Sequence, residues 1–217
     1  MKVTIIAEAG VNHNGSLVRA KKLIDIAKTS GADYVKFQSF KVDHLLLKNA
    51  KKAEYQIRNT GNSDSQFQML EKLELSEDSQ IKLKKYCSKK KIKFLSTAFE
   101  IPSLNFLKRV GLNTFKVPSG EITNTPYLRH LGKFKKNVII STGMSNLKDI
   151  EYAINVLTKA GTALNKITIL HCTTDYPVSA NEVNLNAIKT IKETFGTKVG
   201  YSDHTVGTDV AIAAIGM

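Results

Sequence analysis

The sequence predicts an α/β protein, a (β/α)8 or TIM barrel truncated after the seventh strand. Three observations predict it. Short β-rich runs alternate with amphipathic helical patterns along the whole chain. Glycines recur just before strands, at Gly31, Gly111, Gly161 and Gly196. Polar residues close nearly every strand: Lys36 and Gln38, Ser96 and Thr97, Lys116 and Ser119, Ser141 and Thr142, His171 and Thr173, Ser202 and His204. In an open doubly wound sheet a ligand meets only the strands at the switch point. In a barrel all strand C-termini converge on one site, so this many polar ends favours the barrel. No GxGxxG follows the first strand, which weakens the dinucleotide-binding alternative.

The elements follow in order. Strands are read near residues 3–7, 34–38, 93–97, 114–117, 138–141, 167–172 and 198–202. After the first strand, Leu17, Ala20, Leu23, Ile24 and Ala27 recur at spacings of three and four, the apolar face of a helix. Ser16 is its candidate N-cap and Gly31 its C′ residue. In the second strand Tyr34, Lys36 and Gln38 share one face, and Val35 and Phe37 the other. The long gap from Ser39 to Ile92 holds a loop, a short helix near residues 66–73 and a helix starting after Ser76. A loop of that length at a strand C-terminus is usually functional. Every other gap also suits a parallel crossover. The last residues, from Asp209 to Met217, read as an apolar helix that stops in mid-pattern. The expectation is therefore one domain over 1–217, an incomplete barrel that belongs to a longer protein.

Composition excludes several classes. With 217 residues, 42% hydrophobic and 24% charged, the chain has the make-up of one globular domain rather than of a disordered segment. No run approaches the length of a membrane span. The N-terminus lacks a secretory pattern, and two cysteines cannot build a disulfide framework, so a cytoplasmic location is expected. The net charge of +13 invites a nucleic-acid reading, but 28 of the 32 basic residues are Lys. Base readout and phosphate forks favour Arg, so no nucleic-acid partner is expected.

Lys36 and Lys116 differ from the other lysines because each lies inside an apolar run, where an unpaired ammonium is costly. With the hydroxyls of Thr97, Ser119, Ser141 and Ser202 they would make a cradle for phosphate or carboxylate. On the seventh strand Gly200, Ser202 and His204 share a face whose small residues leave room for a ligand. Glu8 is either a general base, a metal or hydroxyl ligand, or a structural partner for a lysine, and Glu121 has the same ambiguity. His204 is either a metal ligand, an acid/base group or a loop hydrogen-bonder. His13 shapes the first βα loop, and Cys172 reads as a buried inert thiol rather than a nucleophile.

Taken together, the segments IAEAGVNHNG (6–15), GADYVKFQ (31–38), FLSTAF (94–99), FKVPSGE (115–121), IISTGM (139–144), LHCTTDYP (170–177) and GYSDHT (200–205) resemble the sialic acid synthase family, which includes N-acetylneuraminate and legionaminate synthases. The resemblance implies a barrel that condenses phosphoenolpyruvate with an N-acetylated amino sugar such as N-acetylmannosamine and releases phosphate. It implies a divalent metal, Mn2+ or Mg2+. By motif match Lys36 would meet the phosphoenolpyruvate carboxylate. Thr97, Lys116, Ser119, Ser141, Thr174 and Ser202 would hold its phosphate. Gln38, Asn62, Glu121 and Tyr176 would contact the amino sugar. His204 would be a metal ligand and Glu8 would act in acid/base chemistry.

Two departures stand out. Thr174 occupies a position where many members carry Asn, so it offers one hydroxyl in place of an amide fork. The eighth strand with a second metal histidine, and the C-terminal antifreeze-like domain of a homodimer, are not in this chain. Alternatives are a legionaminate synthase acting on a diacetamido-deoxyhexose, an inactive fragment of such an enzyme, and a Schiff-base aldolase using Lys36 or Lys116 as nucleophile.

Overall fold

The computed structural model describes residues 3–54, 56–57, 61 and 64–217. The chain divides after Leu112 into two compact units. The first contains β1 (Ile6–Gly10), α1 (Leu17–Thr29), β2 (Tyr34–Ser39), α2 (Val42–Leu45), α3 (Gln66–Glu71), α4 (Glu77–Lys90), β3 (Lys93–Ala98) and α5 (Ile101–Arg109). The second contains β4 (Thr114–Val117), α6 (Thr125–Gly132), β5 (Asn137–Ser141), α7 (Leu147–Ala160), β6 (Ile167–His171), α8 (Asn186–Phe195), β7 (Lys198–Tyr201) and α9 (Asp209–Gly216). Within each unit consecutive strands pair in parallel, β1 with β2 and β2 with β3, then β4 through β7 in chain order. This is the βα repeat of a (β/α)8-type barrel, with seven of its strands. Among the described residues no helix is long and apolar enough to cross a membrane.

Local chemistry explains the elements of the first unit. The Ser16 hydroxyl caps α1 by accepting from the Arg19 N–H at 3.3 Å, and Ala20, Ile24 and Ala27 are buried. Gly31 then takes φ +80° to turn the chain into β2. Ser65 and Gln68 form a capping box on α3. Ser76 caps α4, which carries Glu77 and Asp78 in its first turn and Lys89 and Lys90 in its last, each sign matching the helix dipole. Strand β2 alternates as its sequence requires: Val35, Phe37 and Ser39 are buried, and Tyr34, Lys36 and Gln38 are half-buried. Ser39 does not waste its burial. Its hydroxyl donates to Gln80 Oε1 at 2.5 Å and lies 2.7 Å from Ser96 Oγ, while Gln80 Nε2 donates to the Leu75 carbonyl at 3.1 Å. This satisfied network ties α4 to β2 and β3.

In the second unit the α6/α7 contact depends on a missing side chain. A Cβ on Gly132 would lie 2.5 Å from Ala160 Cβ and 2.9 Å from the Leu157 carbonyl oxygen. Replacing a helical Gly by Ala ordinarily favours the helix by up to about 1 kcal/mol. Here overpacking reverses the sign. Gly132→Ala is expected to destabilise the protein by about 1–3 kcal/mol, read as a lowered midpoint in denaturant at unchanged slope.

Strand placement differs from expectation at β1, which runs over Ile6–Gly10 rather than 3–7. Val3 and Ile5 are β-branched and suit a strand. In the structure both are exposed, and the Ile5 N–H donates to Asp33 Oδ2 at 3.0 Å instead of entering the ladder. Pairing starts at Ile6 with Tyr34 and passes a bulge between Glu8 and Gly10. Strands β6 and β7 each end one residue early, at His171 and Tyr201, so Ser202 and His204 lie in the following loop. Asn62 lies outside the described residues.

Candidate functional site

The predicted site residues fall into two clusters, one in each unit. In the first, Glu8 on β1 stands directly across from Lys36 on β2, and Gln38 across from Thr97 on β3. The Lys36 ammonium forms an ion pair with Glu8 Oε2 and donates to Thr97 Oγ1 at 3.3 Å. The Lys36 side chain is 15% exposed and that of Glu8 48%, so the lysine is fixed in the wall and the carboxylate reaches solvent. Thr97 is buried. The bulge at Glu8 and Gly10 re-aims the strand at this point. Gly10 has φ +50°, and a Cβ on it would lie 3.1 Å from Glu8 Oε1 and 3.9 Å from Gln38 Nε2. The Glu8 carboxylate thus lies over a glycine with the Gln38 amide alongside.

The turn after β1 is shaped by His13, as its motif suggests. It is fully buried, its Nδ1 accepts from the Gly15 N–H at 3.0 Å, and its ring packs on Phe37 at 6.1 Å between centroids. Burial lowers the His13 pKa below the ordinary histidine value, which keeps the ring a neutral acceptor.

In the second cluster Lys116 on β4 is 5% exposed. Its ammonium donates to Ser141 Oγ on β5 at 2.6 Å and to the Val117 carbonyl at 2.8 Å. The loop after β5 brings two more hydroxyls together. A Cβ on Gly143, where φ is +53°, would lie 2.6 Å from Ser119 Oγ and 2.7 Å from Thr174 Oγ1. Gly143 also donates its N–H to Cys172 Sγ at 3.1 Å, which gives that buried sulfur a structural part. The other cysteine, Cys87, is a buried thiol that burial pushes up to about 12. Ser119 and Thr174 thus bring two hydroxyls against one glycine backbone, a combination suited to an anion.

His204 and Tyr176 form the remaining part of this cluster. His204 Nδ1 lies 2.7 Å from the Thr173 carbonyl oxygen, which can only accept, so Nδ1 carries the proton and Nε2 the lone pair. The Tyr176 ring packs on His204 at 4.2 Å between centroids, tilted by 35°. A carbonyl behind Nδ1 is how a metal-binding imidazole is commonly oriented. Yet among the described residues no group of three or more His, Cys, Asp and Glu side chains could hold a metal ion. His204 suits one coordination position, and the described residues do not complete a metal centre.

The other predicted residues are less closely joined. Glu121, in a 3₁₀ turn, accepts from Asn124 Nδ2 at 2.6 Å at the start of α6. Ser202 is half-buried beside β7, and its N–H donates to the His171 carbonyl at 2.9 Å. Gly200 does not leave room for a ligand as its size suggested: a Cβ there would meet Leu170 Cδ2 at 2.8 Å, so Leu170 fills the space. Sequence reasoning missed Gly10 and Gly143. The available signal was a glycine directly after a polar strand end, in Glu8-Ala9-Gly10 and Ser141-Thr142-Gly143.

Comparison with known proteins supplies the context for these clusters. The N,N'-diacetyllegionaminic acid synthase of Campylobacter jejuni is 53% identical over 216 residues, covering 100% of this chain and 65% of that protein. The enzyme of the same name from Legionella pneumophila is 48% identical, with 62% of its length covered. The chain thus spans less than two thirds of these two relatives. Among solved structures, the N-acetylneuraminic acid (sialic acid) synthetase of Leptospira borgpetersenii, in complex with citrate, superposes with a TM-score of 0.86 at 31% identity, covering 99% of this chain and 70% of that one. The profile of the NeuB family matches residues 23–217, and the chain belongs to that family.

Proposed function

We propose that this chain is the phosphoenolpyruvate-binding barrel portion, over 1–217, of a sialic-acid-type synthase. The observation that carries the reading is the buried Lys116–Ser141 pair beside the Ser119, Gly143 and Thr174 patch, in a member of the NeuB family. Phosphoenolpyruvate carries a phosphate and a carboxylate. Its phosphate is assigned to Lys116, Ser119, Ser141, Thr174, Thr97 and Ser202, and its carboxylate to Lys36. Charge-assisted hydrogen bonds from ammonium groups suit both. The amino sugar is assigned to Gln38, Asn62, Glu121 and Tyr176. In the reaction, C3 of phosphoenolpyruvate forms a bond to the sugar aldehyde carbon, water adds at C2, and the C2–O bond breaks to release inorganic phosphate. Glu8 handles the proton transfers that these steps require.

A divalent metal, Mn2+ or Mg2+, would supply Lewis-acid polarisation of the aldehyde, with His204 Nε2 as one of its ligands. The full-length protein would act as a homodimer. For the sugar, N-acetylmannosamine and a diacetamido-deoxyhexose are the two candidates. The 53% and 48% identities to N,N'-diacetyllegionaminic acid synthases, against 30% to the human N-acetylneuraminate-9-phosphate synthase, favour the second.

The test is phosphate release by the intact protein. Phosphate is expected from phosphoenolpyruvate only when the amino sugar is added, faster with the diacetamido sugar than with N-acetylmannosamine, and lost with EDTA. A Lys36 or Lys116 adduct trapped by borohydride with pyruvate would overturn the synthase reading in favour of an aldolase.

A further inference from the structure

Lys36 has two claimants for its charge. Its ammonium is already paired with Glu8 and bonded to Thr97, yet it is the group assigned to the phosphoenolpyruvate carboxylate. An ammonium has three donors and one charge, and two carboxylates drawn to it repel each other at short range. One must yield. Lys36 is mostly buried and cannot follow its partner out, whereas the half-exposed Glu8 side chain is free to swing on a bulged strand. The space it needs exists. The carboxylate already lies over Gly10, which has no side chain to confine it as it turns, and Gln38 Nε2 lies alongside as a donor for the oxygen that leaves the ammonium.

We infer that Lys36 is an exchange point: the substrate carboxylate displaces Glu8 from the ammonium, and Glu8, still over Gly10, turns toward Gln38, where the amino sugar is assigned. Glu8 thereby becomes available as an acid/base group only once phosphoenolpyruvate is seated. The inference rests on the proposed function and adds to it a coupling between the two substrates. The Glu8–Lys36 contact is then a self-competing pair, released by the first substrate and not by the second.

Equilibrium titration of the intact protein with phosphoenolpyruvate alone tests this, using wild type, Glu8→Gln and Glu8→Asp. Glu8→Gln removes the competing charge. Glu8→Asp keeps the charge but draws it back by one methylene, out of contact with Lys36. Both variants are expected to bind phosphoenolpyruvate about two- to fivefold more tightly than wild type, the range set by the loss of a partly exposed ion pair. Tightening in Glu8→Gln alone would overturn the exchange and leave simple charge repulsion. No tightening in either variant would also overturn it. Absence of phosphoenolpyruvate binding by the wild type would instead overturn the functional reading beneath it, so the two failures are distinct. Thermal melts of the three proteins show whether each variant is folded before it is titrated.

Discussion

Lys116→Met is expected to give a protein about as stable as the wild type that has lost most of its activity. The two effects separate because the ammonium is buried. Lys116 is 5% exposed, and its charge sits in the wall of β4 with Ser141 Oγ at 2.6 Å and the Val117 carbonyl at 2.8 Å. Removing it leaves those acceptors short of a donor, a loss of about 1–3 kcal/mol. It also removes the desolvation penalty of a buried cation, which is several kcal/mol before compensation. Met preserves the length and the apolar stem of the side chain, so no cavity opens. The opposed terms predict a melting temperature within a few degrees of the wild type. Function has no such compensation. In the proposed role, a buried cation that stabilises a leaving phosphate would be worth about 10²- to 10³-fold in kcat/KM. Steady-state phosphate release and a thermal melt on the same preparation check both halves. A variant that melts far below wild type yet turns over normally would make Lys116 a structural residue.

How much of this was legible follows from which interactions are local. Lys36 and Gln38 could be placed on one face of β2 because side chains alternate along a strand, and the burial of Val35 and Phe37 opposite them follows the same rule. The Ser16 cap and the turn at Gly31 were legible for a similar reason, since both are set within a few residues. The Glu8–Lys36 pairing was not, because it depends on the β1 register. That register starts at Ile6 rather than Val3, and the Ile5 N–H just before it goes to Asp33, far along the chain. The tautomer of His204 likewise depends on the Thr173 carbonyl, 31 residues away. Gly200 shows the opposite error. Smallness in the sequence looked like space, but the neighbouring strand delivers Leu170 into it. A glycine therefore marks a close approach without saying whether a ligand or the protein itself makes it.

Gly143→Ala addresses that ambiguity at the position where it matters most. The new Cβ would stand 2.5 Å from Ser119 Cβ, 2.6 Å from its Oγ and 2.7 Å from Thr174 Oγ1. Neither neighbour is the end of a long flexible side chain, so relief requires the turn at Ser119 or the loop at Thr174 to move. The backbone also has φ +53°, which costs an L-residue about 1–2 kcal/mol. Crowding adds about 1–3 kcal/mol, so a total loss of about 2–5 kcal/mol is expected. Gly196→Ala isolates the two contributions. Gly196 has nearly the same backbone, φ +61°, but no atom within 4 Å of its would-be Cβ. Its alanine variant should show the backbone penalty alone and leave phosphoenolpyruvate affinity unchanged. Gly143→Ala should lose at least about tenfold in that affinity as well, because Ser119 and Thr174 are forced apart by more than hydrogen bonds tolerate. Equal stability losses in the two variants, with affinity intact in both, would show that the close approach at Gly143 serves the backbone alone and that Ser119 and Thr174 are not gathered there for an anion.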